Sequence, residues 1–233
     1  MLRIFLLRHG QTIFNTVDVC QGWNDSPLTE MGLYQPKCAG YGLRKTEFVK
    51  AYSGDTQRQI DTGKQFMSQN EKPIDITPDM HFREMCYGKY QGGSYENLLG
   101  PLFKMHGEEY GGYTQLYKYM NDYEIARQVC LNDETGETEG PERAYLRFKE
   151  GLDMIVKDIK DGNVLISTSS AVISFVITKL FPDYKQSGLV DNASITIIDY
   201  EYGKWILEDY NNTTYRDVGD EHFKSLQWRL YFF

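Results

Sequence analysis

Three short apolar runs constrain this chain more than any other feature. LRIFLL at 2–7, FVKAYSGD at 48–55 and NVLISTSS at 163–170 are each rich in strand formers and cut off by small or polar residues. Runs of this length, bounded by turn signals, read as buried strands. Helical patterns alternate with them. SPLTEMG places Thr29 as an N-cap, with a helix through about Leu43, inside which Pro36 is expected to lie in the first turn or to kink the chain. Further helices are expected over 56 to about 69, over 142–160 and over the apolar stretch AVISFVITKLF at 171–181. PIDIT at 73–77 adds a short strand, and ASITIIDY with KWILEDY, split by Glu201-Tyr202-Gly203, reads as a hairpin. Strands alternating with helices imply an α/β fold with a mostly parallel central sheet flanked by helices. Ligands bind such sheets outside the carboxyl ends of the strands. Arg8-His9-Gly10, SGDTQR at 53–58 and STSS at 167–170 sit at three of those ends, so they are expected to line one crevice.

The chain is read as one domain over 1–233, with an irregular, partly helical insertion at about 92–140 lying over the site. Selectivity is expected from that insertion, which carries Tyr95, Phe103 and Tyr113. The net charge of −8 argues against nucleic acid or an anionic membrane as a partner, but leaves room for a local basic pocket. Cys20, Cys38, Cys86 and Cys130 show no Cys-x-x-Cys spacing and no histidine cluster nearby, so neither a metal site nor a disulfide framework is expected and the thiols read as reduced. The apolar stretch at 4–7 is too short for a signal-peptide core or a membrane span, and a cytoplasmic location is expected. No cofactor is implied. A homo-oligomer is left open.

Arg8 and Arg58 suit a tetrahedral anion, because guanidinium is permanently charged and donates in a fork that matches phosphate oxygens. Thr12 and Asn15 add neutral donors just after His9. An arginine beside a histidine at a strand end is, alone, equally compatible with an ordinary polar strand cap.

A longer series of boxes changes that reading. LLRHGQTIFN, QGWNDSPLTEMG, GDTQRQIDTG and FREMCYGKYQG together resemble the histidine phosphatase superfamily, also called phosphoglycerate mutase-like. Arg8, His9, Gly10, Thr12 and Asn15 match its opening box. Gly22 and Pro27-Leu28-Thr29 match the run before its first long helix. Arg58 and Thr62 match its second arginine box, and Glu84 with Gly88 its acidic box. The resemblance implies a three-layer phosphoglycerate mutase-like fold and a small phosphorylated metabolite as substrate. It implies that His9 attacks phosphorus and becomes a phosphohistidine, that Arg8 and Arg58 hold the phosphoryl oxygens, and that Glu84 serves as general acid and then general base. No metal is required. The family's second histidine falls at Ser169, and the glycine after it at Ser170. The two serines are expected to supply hydroxyl donors to the phosphate without a cationic imidazolium. The expected function is therefore a phosphatase of small phosphomonoesters, with reduced turnover. The alternative is a degenerate member that binds a phosphorylated ligand or a protein partner. A phosphoglycerate mutase ranks behind both, since a mutase must retain and reorient its intermediate. His81, His106 and His222 are the other histidines, and the sequence does not place them.

Overall fold

A computed structural model describes residues 1–231 except Ser187. The sheet has six strands, β1 (Leu2–Arg8), β2 (Phe48–Ser53), β3 (Ile76–Pro78), β4 (Gly162–Thr168), β5 (Ile195–Glu201) and β6 (Lys204–Asn212), in the order β3-β2-β4-β1-β5-β6. β1 runs parallel to β4, and β2 parallel to both β4 and β3, whereas β5 runs antiparallel to β1 and β6. Each parallel pair needs a helical crossover, which is why strands and helices alternate in the sequence. The expected strand at 73–77 begins later, at Ile76, and β2 stops at Ser53.

The central strands are apolar without alternation because both faces are covered. Leu2, Ile4 and Leu6 of β1, with Val164 and Ile166 of β4, face one core. Over that core lie α4 (Tyr95–Met105), α5 (Asp122–Leu131), α6 (Pro141–Asp158) and α7 (Ser170–Leu180). Phe5, Leu7 and Leu165 face the other, covered by α2 (Glu30–Gly42), α3 (Gln57–Met67) and α8 (Thr214–Tyr231). A short α1 (Ile13–Thr16) follows β1. Helix α8 has no counterpart in the expectations; its first two turns carry few apolar residues, and it is held by packing along α2. Among the described residues no helix is long and apolar enough to cross a membrane.

Thr29 caps α2, accepting from the Gly32 N–H at 3.0 Å. Pro36 lies in the second turn rather than the first, and the helix continues through it. Its missing N–H leaves the Gly32 carbonyl without an i+4 donor. That carbonyl lies against Gly10, where a Cβ would stand 2.0 Å from it, so the loop carrying His9 and helix α2 meet backbone to backbone.

Gly151 plays a similar part on the other face. A Cβ there would fall 2.7 Å from the Phe82 ring and 2.9 Å from His81 Cβ. Phe82 is fully buried and packs edge-on against Phe148. Gly151→Ala gains about 1 kcal/mol of helix propensity but overpacks a rigid ring, at about 1–3 kcal/mol. A net loss on the order of 1 kcal/mol is expected, read as a lower urea midpoint.

Candidate active site

The strand register places the expected residues together. Arg8 of β1 pairs with Thr168 of β4, and Ser53 of β2 with Ser167. Three carboxyl ends thus open at one level, where the backbones before α3 and α7 and after β1 begin. A cavity of about 250 Å³ opens there, and Arg8, His9, Asn15, Arg58, Glu84 and Ser170 all line it.

His9 is 3% exposed and follows the last residue of β1. Its Nδ1 lies 2.8 Å from the Gly10 carbonyl. A carbonyl only accepts, so Nδ1 carries the proton and Nε2 keeps its lone pair. Burial pushes the imidazole well below its ordinary range, and Arg58 and Arg8 push it the same way. These effects all favour the neutral ring. The loop that holds it is tied on two sides. The Asn192 side chain donates to the His9 carbonyl at 2.9 Å, and the Gly10 N–H donates to the Thr62 hydroxyl at 3.0 Å.

The two guanidiniums come from different elements. Arg8 ends β1 and donates to the Val190 carbonyl, and burial lowers its pKa. Arg58, in the first turn of α3, donates to the Gly22 carbonyl at 2.7 Å, the Asn24 carbonyl at 2.7 Å and Asp25 at 3.1 Å. In both arginines Nε is buried without a partner. Unmade bonds on buried cations are costly unless a ligand makes them. The Ser170 hydroxyl is also buried, unpartnered and on the cavity wall.

Glu84 is 7% exposed. One carboxyl oxygen accepts from Met85 N–H at 2.8 Å and Val172 N–H at 3.3 Å, and the other from Ala171 N–H at 3.2 Å. The carboxyl therefore rests on the N-terminus of α7, where helix N–H groups favour an anion. Burial nevertheless outweighs those bonds and the two arginines, and raises the carboxyl pKa above its ordinary value.

The segment carrying Glu84 is clamped by a residue that the sequence did not flag. Arg147 of α6 donates to the carbonyls of Met80, His81, Arg83 and Glu84 at 3.0–3.1 Å. Glu139 grips the same guanidinium through both oxygens at 2.8 and 3.0 Å. Trp23 Nε1 adds a bond to the Glu84 carbonyl at 2.8 Å, beneath the Arg83 guanidinium. Asn192, Leu189 and the Tyr87 ring also line the cavity without a sequence signal. They reach it through space from segments that have no pattern of their own.

Not every expected residue lines the cavity. Thr12 is fully buried; it caps α1 in a capping box with Asn15 and donates to Gln21 at 3.1 Å. Ser169 is also fully buried, precedes α7, and accepts from Gln59 Nε2 at 2.9 Å. Of the insertion's aromatics, Tyr95 and Tyr113 line the cavity, whereas Phe103 is packed into the core against Tyr110. No second histidine is among the lining residues. His81 contacts Asp79 at 2.6 Å, His106 stacks on Tyr119, and His222 stacks on Tyr41. Among the described residues, no group of three or more His, Cys, Asp or Glu side chains is placed to hold a metal ion.

Known proteins resemble this chain in architecture and in sequence. The phosphoglycerate mutase from Bacillus anthracis str. Sterne superposes with a TM-score of 0.86 at 29% identity, over 94% of this chain and 96% of that one. The metal-independent phosphoserine phosphatase of Arabidopsis thaliana is 27% identical over 216 residues, covering 91% of this chain and 82% of its own. The probable phosphoglycerate mutase GpmB of Salmonella typhi is 26% identical over 223 residues, covering 94% of each. The α/β sheet with helices on both faces is thus the phosphoglycerate mutase-like fold. The sequence model of the histidine phosphatase superfamily (branch 1) matches residues 4–213, from within β1 to just past β6 and through every residue of the cavity wall, and the chain belongs to that superfamily.

Proposed function

We propose that this chain is a phosphatase that hydrolyses small phosphomonoesters through a phosphohistidine at His9. One observation carries the reading: a neutral imidazole with Nε2 free shares one cavity with two guanidiniums and a carboxyl of raised pKa. In the first step His9 Nε2 attacks phosphorus, the P–O ester bond breaks, and Glu84 gives its proton to the leaving oxygen. In the second, Glu84 takes a proton from water, the water oxygen attacks phosphorus, and the P–N bond breaks to release phosphate and His9. Arg8, Arg58 and the Ser170 hydroxyl hold the transferring group. Their unmade buried bonds are the capacity it fills. Asn15 contributes from the same wall, while Thr12 and Ser169 act from behind it, fixing the α1 and α7 backbones.

Ser169 stands where the superfamily carries its second histidine. A hydroxyl turned toward Gln59 supplies no cation to the phosphoryl group, and we infer turnover lowered by on the order of a hundredfold for a missing donor of this kind. Hydrolysis is favoured over mutase chemistry because, among the described residues, no lysine or third arginine lines the cavity to hold a substrate carboxylate. The similarity to a relative named metal-independent phosphoserine phosphatase supports hydrolysis without a metal.

The pH dependence follows from the two shifts. His9 acts deprotonated and its pKa is depressed, so the acid limb of kcat/KM lies below the ordinary imidazole range. Glu84 acts protonated and its pKa is raised, so the alkaline limb lies above the ordinary carboxylate range. A bell with its maximum on the acid side of neutrality is expected when hydrolysis of an alkyl phosphate, whose leaving oxygen needs a proton, is followed across pH. A rate that climbs steadily into alkali overturns the assignment of Glu84. Binding of phosphate esters with no turnover at any pH supports instead the non-catalytic role that Ser169 permits.

A further inference from the structure

On the reading that this cavity hydrolyses phosphomonoesters, we propose that its substrate carries an ammonium group, with Asp122 as the residue that selects it. The cavity wall is divided by charge. Among the described residues, its only lysine or arginine side chains are Arg8 and Arg58, both assigned to the phosphoryl group. Apart from Glu84, its carboxylates are Asp122 and Asp18, and both come from segments outside the phosphate cradle.

Asp122 is 4% exposed and opens α5. The Tyr117 hydroxyl donates to its Oδ1 at 2.7 Å and the Tyr113 hydroxyl donates to the same oxygen at 3.0 Å. Oδ2 keeps capacity to accept. Burial raises this carboxyl's pKa, hydroxyls of Tyr117, Ser174 and Tyr113 oppose that rise, and no cation is among the groups acting on it. A buried carboxylate without a cation is an expense that structures seldom carry unless a ligand compensates it. An ammonium seated there would complete the pair inside a low-dielectric pocket.

Much of the remaining wall is aromatic. Tyr87, Tyr95 and Tyr113 line it, and the Tyr95 and Tyr113 rings stand at 89° with centroids 6.1 Å apart. Burial holds all three hydroxyls above their ordinary pKa, so the rings stay neutral. Neutral aromatic faces attract a cation and give nothing to a carboxylate. Asp18, exposed and bonded to the Tyr110 hydroxyl at 2.9 Å, adds negative charge on the same wall. About 250 Å³ leaves room for a short chain between phosphate and amine. The substrate class is thus the monophosphate ester of a small amino alcohol, split by water into that alcohol and phosphate.

The test compares three esters of similar size, 2-aminoethyl phosphate, propyl phosphate and phosphoglycolate, with the larger phosphoserine. Wild-type kcat/KM for 2-aminoethyl phosphate is expected to exceed that for propyl phosphate by about ten- to a hundredfold, the worth of one hydrogen bond between charged groups. Phosphoglycolate is expected to rank last, and phosphoserine below the aminoethyl ester. In Asp122→Asn, which keeps the acceptor for both tyrosines, the aminoethyl-to-propyl ratio is expected to fall toward one. A wild-type ratio of one or less, or a preference for phosphoglycolate, overturns the proposal, and that arm needs no variant to fold. If no ester is hydrolysed, the phosphatase reading fails by itself. Calorimetric binding of the same esters to His9→Ala then decides the proposal: tighter binding of the aminoethyl ester upholds it, and equal binding overturns it.

Discussion

His9→Ala is expected to lower ester hydrolysis by about four orders of magnitude or more, the scale seen when a covalent nucleophile is removed. The protein should remain folded. The imidazole lines a cavity rather than filling a core, and its bond to the Gly10 carbonyl is worth about 1 kcal/mol. The bonds that hold the loop, from Asn192 and to Thr62, run through backbone atoms and survive the substitution. A thermal melt close to that of the wild type, together with lost turnover, separates chemistry from stability. The acid-labile phosphoryl label that the wild type takes up from a phosphodonor should be absent. A variant that still turns over at a comparable rate removes His9 from the mechanism.

Glu84→Gln is expected to cost about 10²- to 10⁴-fold on alkyl phosphates, the range for a positioned general acid. The loss depends on the leaving group. An aryl oxide leaves without a proton, so an activated aryl ester should lose far less at the first step than an alkyl ester. The replacement is close in shape. Its carbonyl oxygen still accepts from Met85 and Val172, while its amide faces the Ala171 N–H and loses that 3.2 Å bond. The alkaline limb of the pH profile should vanish with the carboxyl. Equal losses on alkyl and aryl esters would make Glu84 a structural anion on α7 rather than the acid.

The strands, the long helices other than α8 and the part of the cavity wall at the strand ends were legible for a physical reason. Each is local: an apolar run, a cap such as Thr29, or a charged residue at the end of a strand. Arg8, His9 and Arg58 lie within a few residues of such ends, so topology alone carries them to one place. Residues that arrive by long-range packing left no trace in the sequence. Asn192 reaches the His9 carbonyl from the connection before β5, and Arg147 reaches the Glu84 segment from the flank of α6. Asp122 looks like one more helix-opening acid until its burial beside two tyrosine hydroxyls is seen. Ser169 and Ser170 divide similarly, one turned to Gln59 and the other to the cavity, a difference that no spacing rule supplies.

The pairing of Leu2 with Gly162, and of Arg8 with Thr168, closes a loop of about 160 residues. No disulfide helps that closure, since all four thiols are free. Closing so long a loop loses chain entropy before any contact repays it, which places this pairing among the slow steps of folding. Arg8 and His9 are synthesised at the start of the chain and meet α7 only after most of it has emerged. A partly folded chain can thus hold helices and one hairpin while lacking the cradle altogether. The His9 imidazole acquires its neighbours only when the sheet is whole, so the cavity and the sheet are completed as one event.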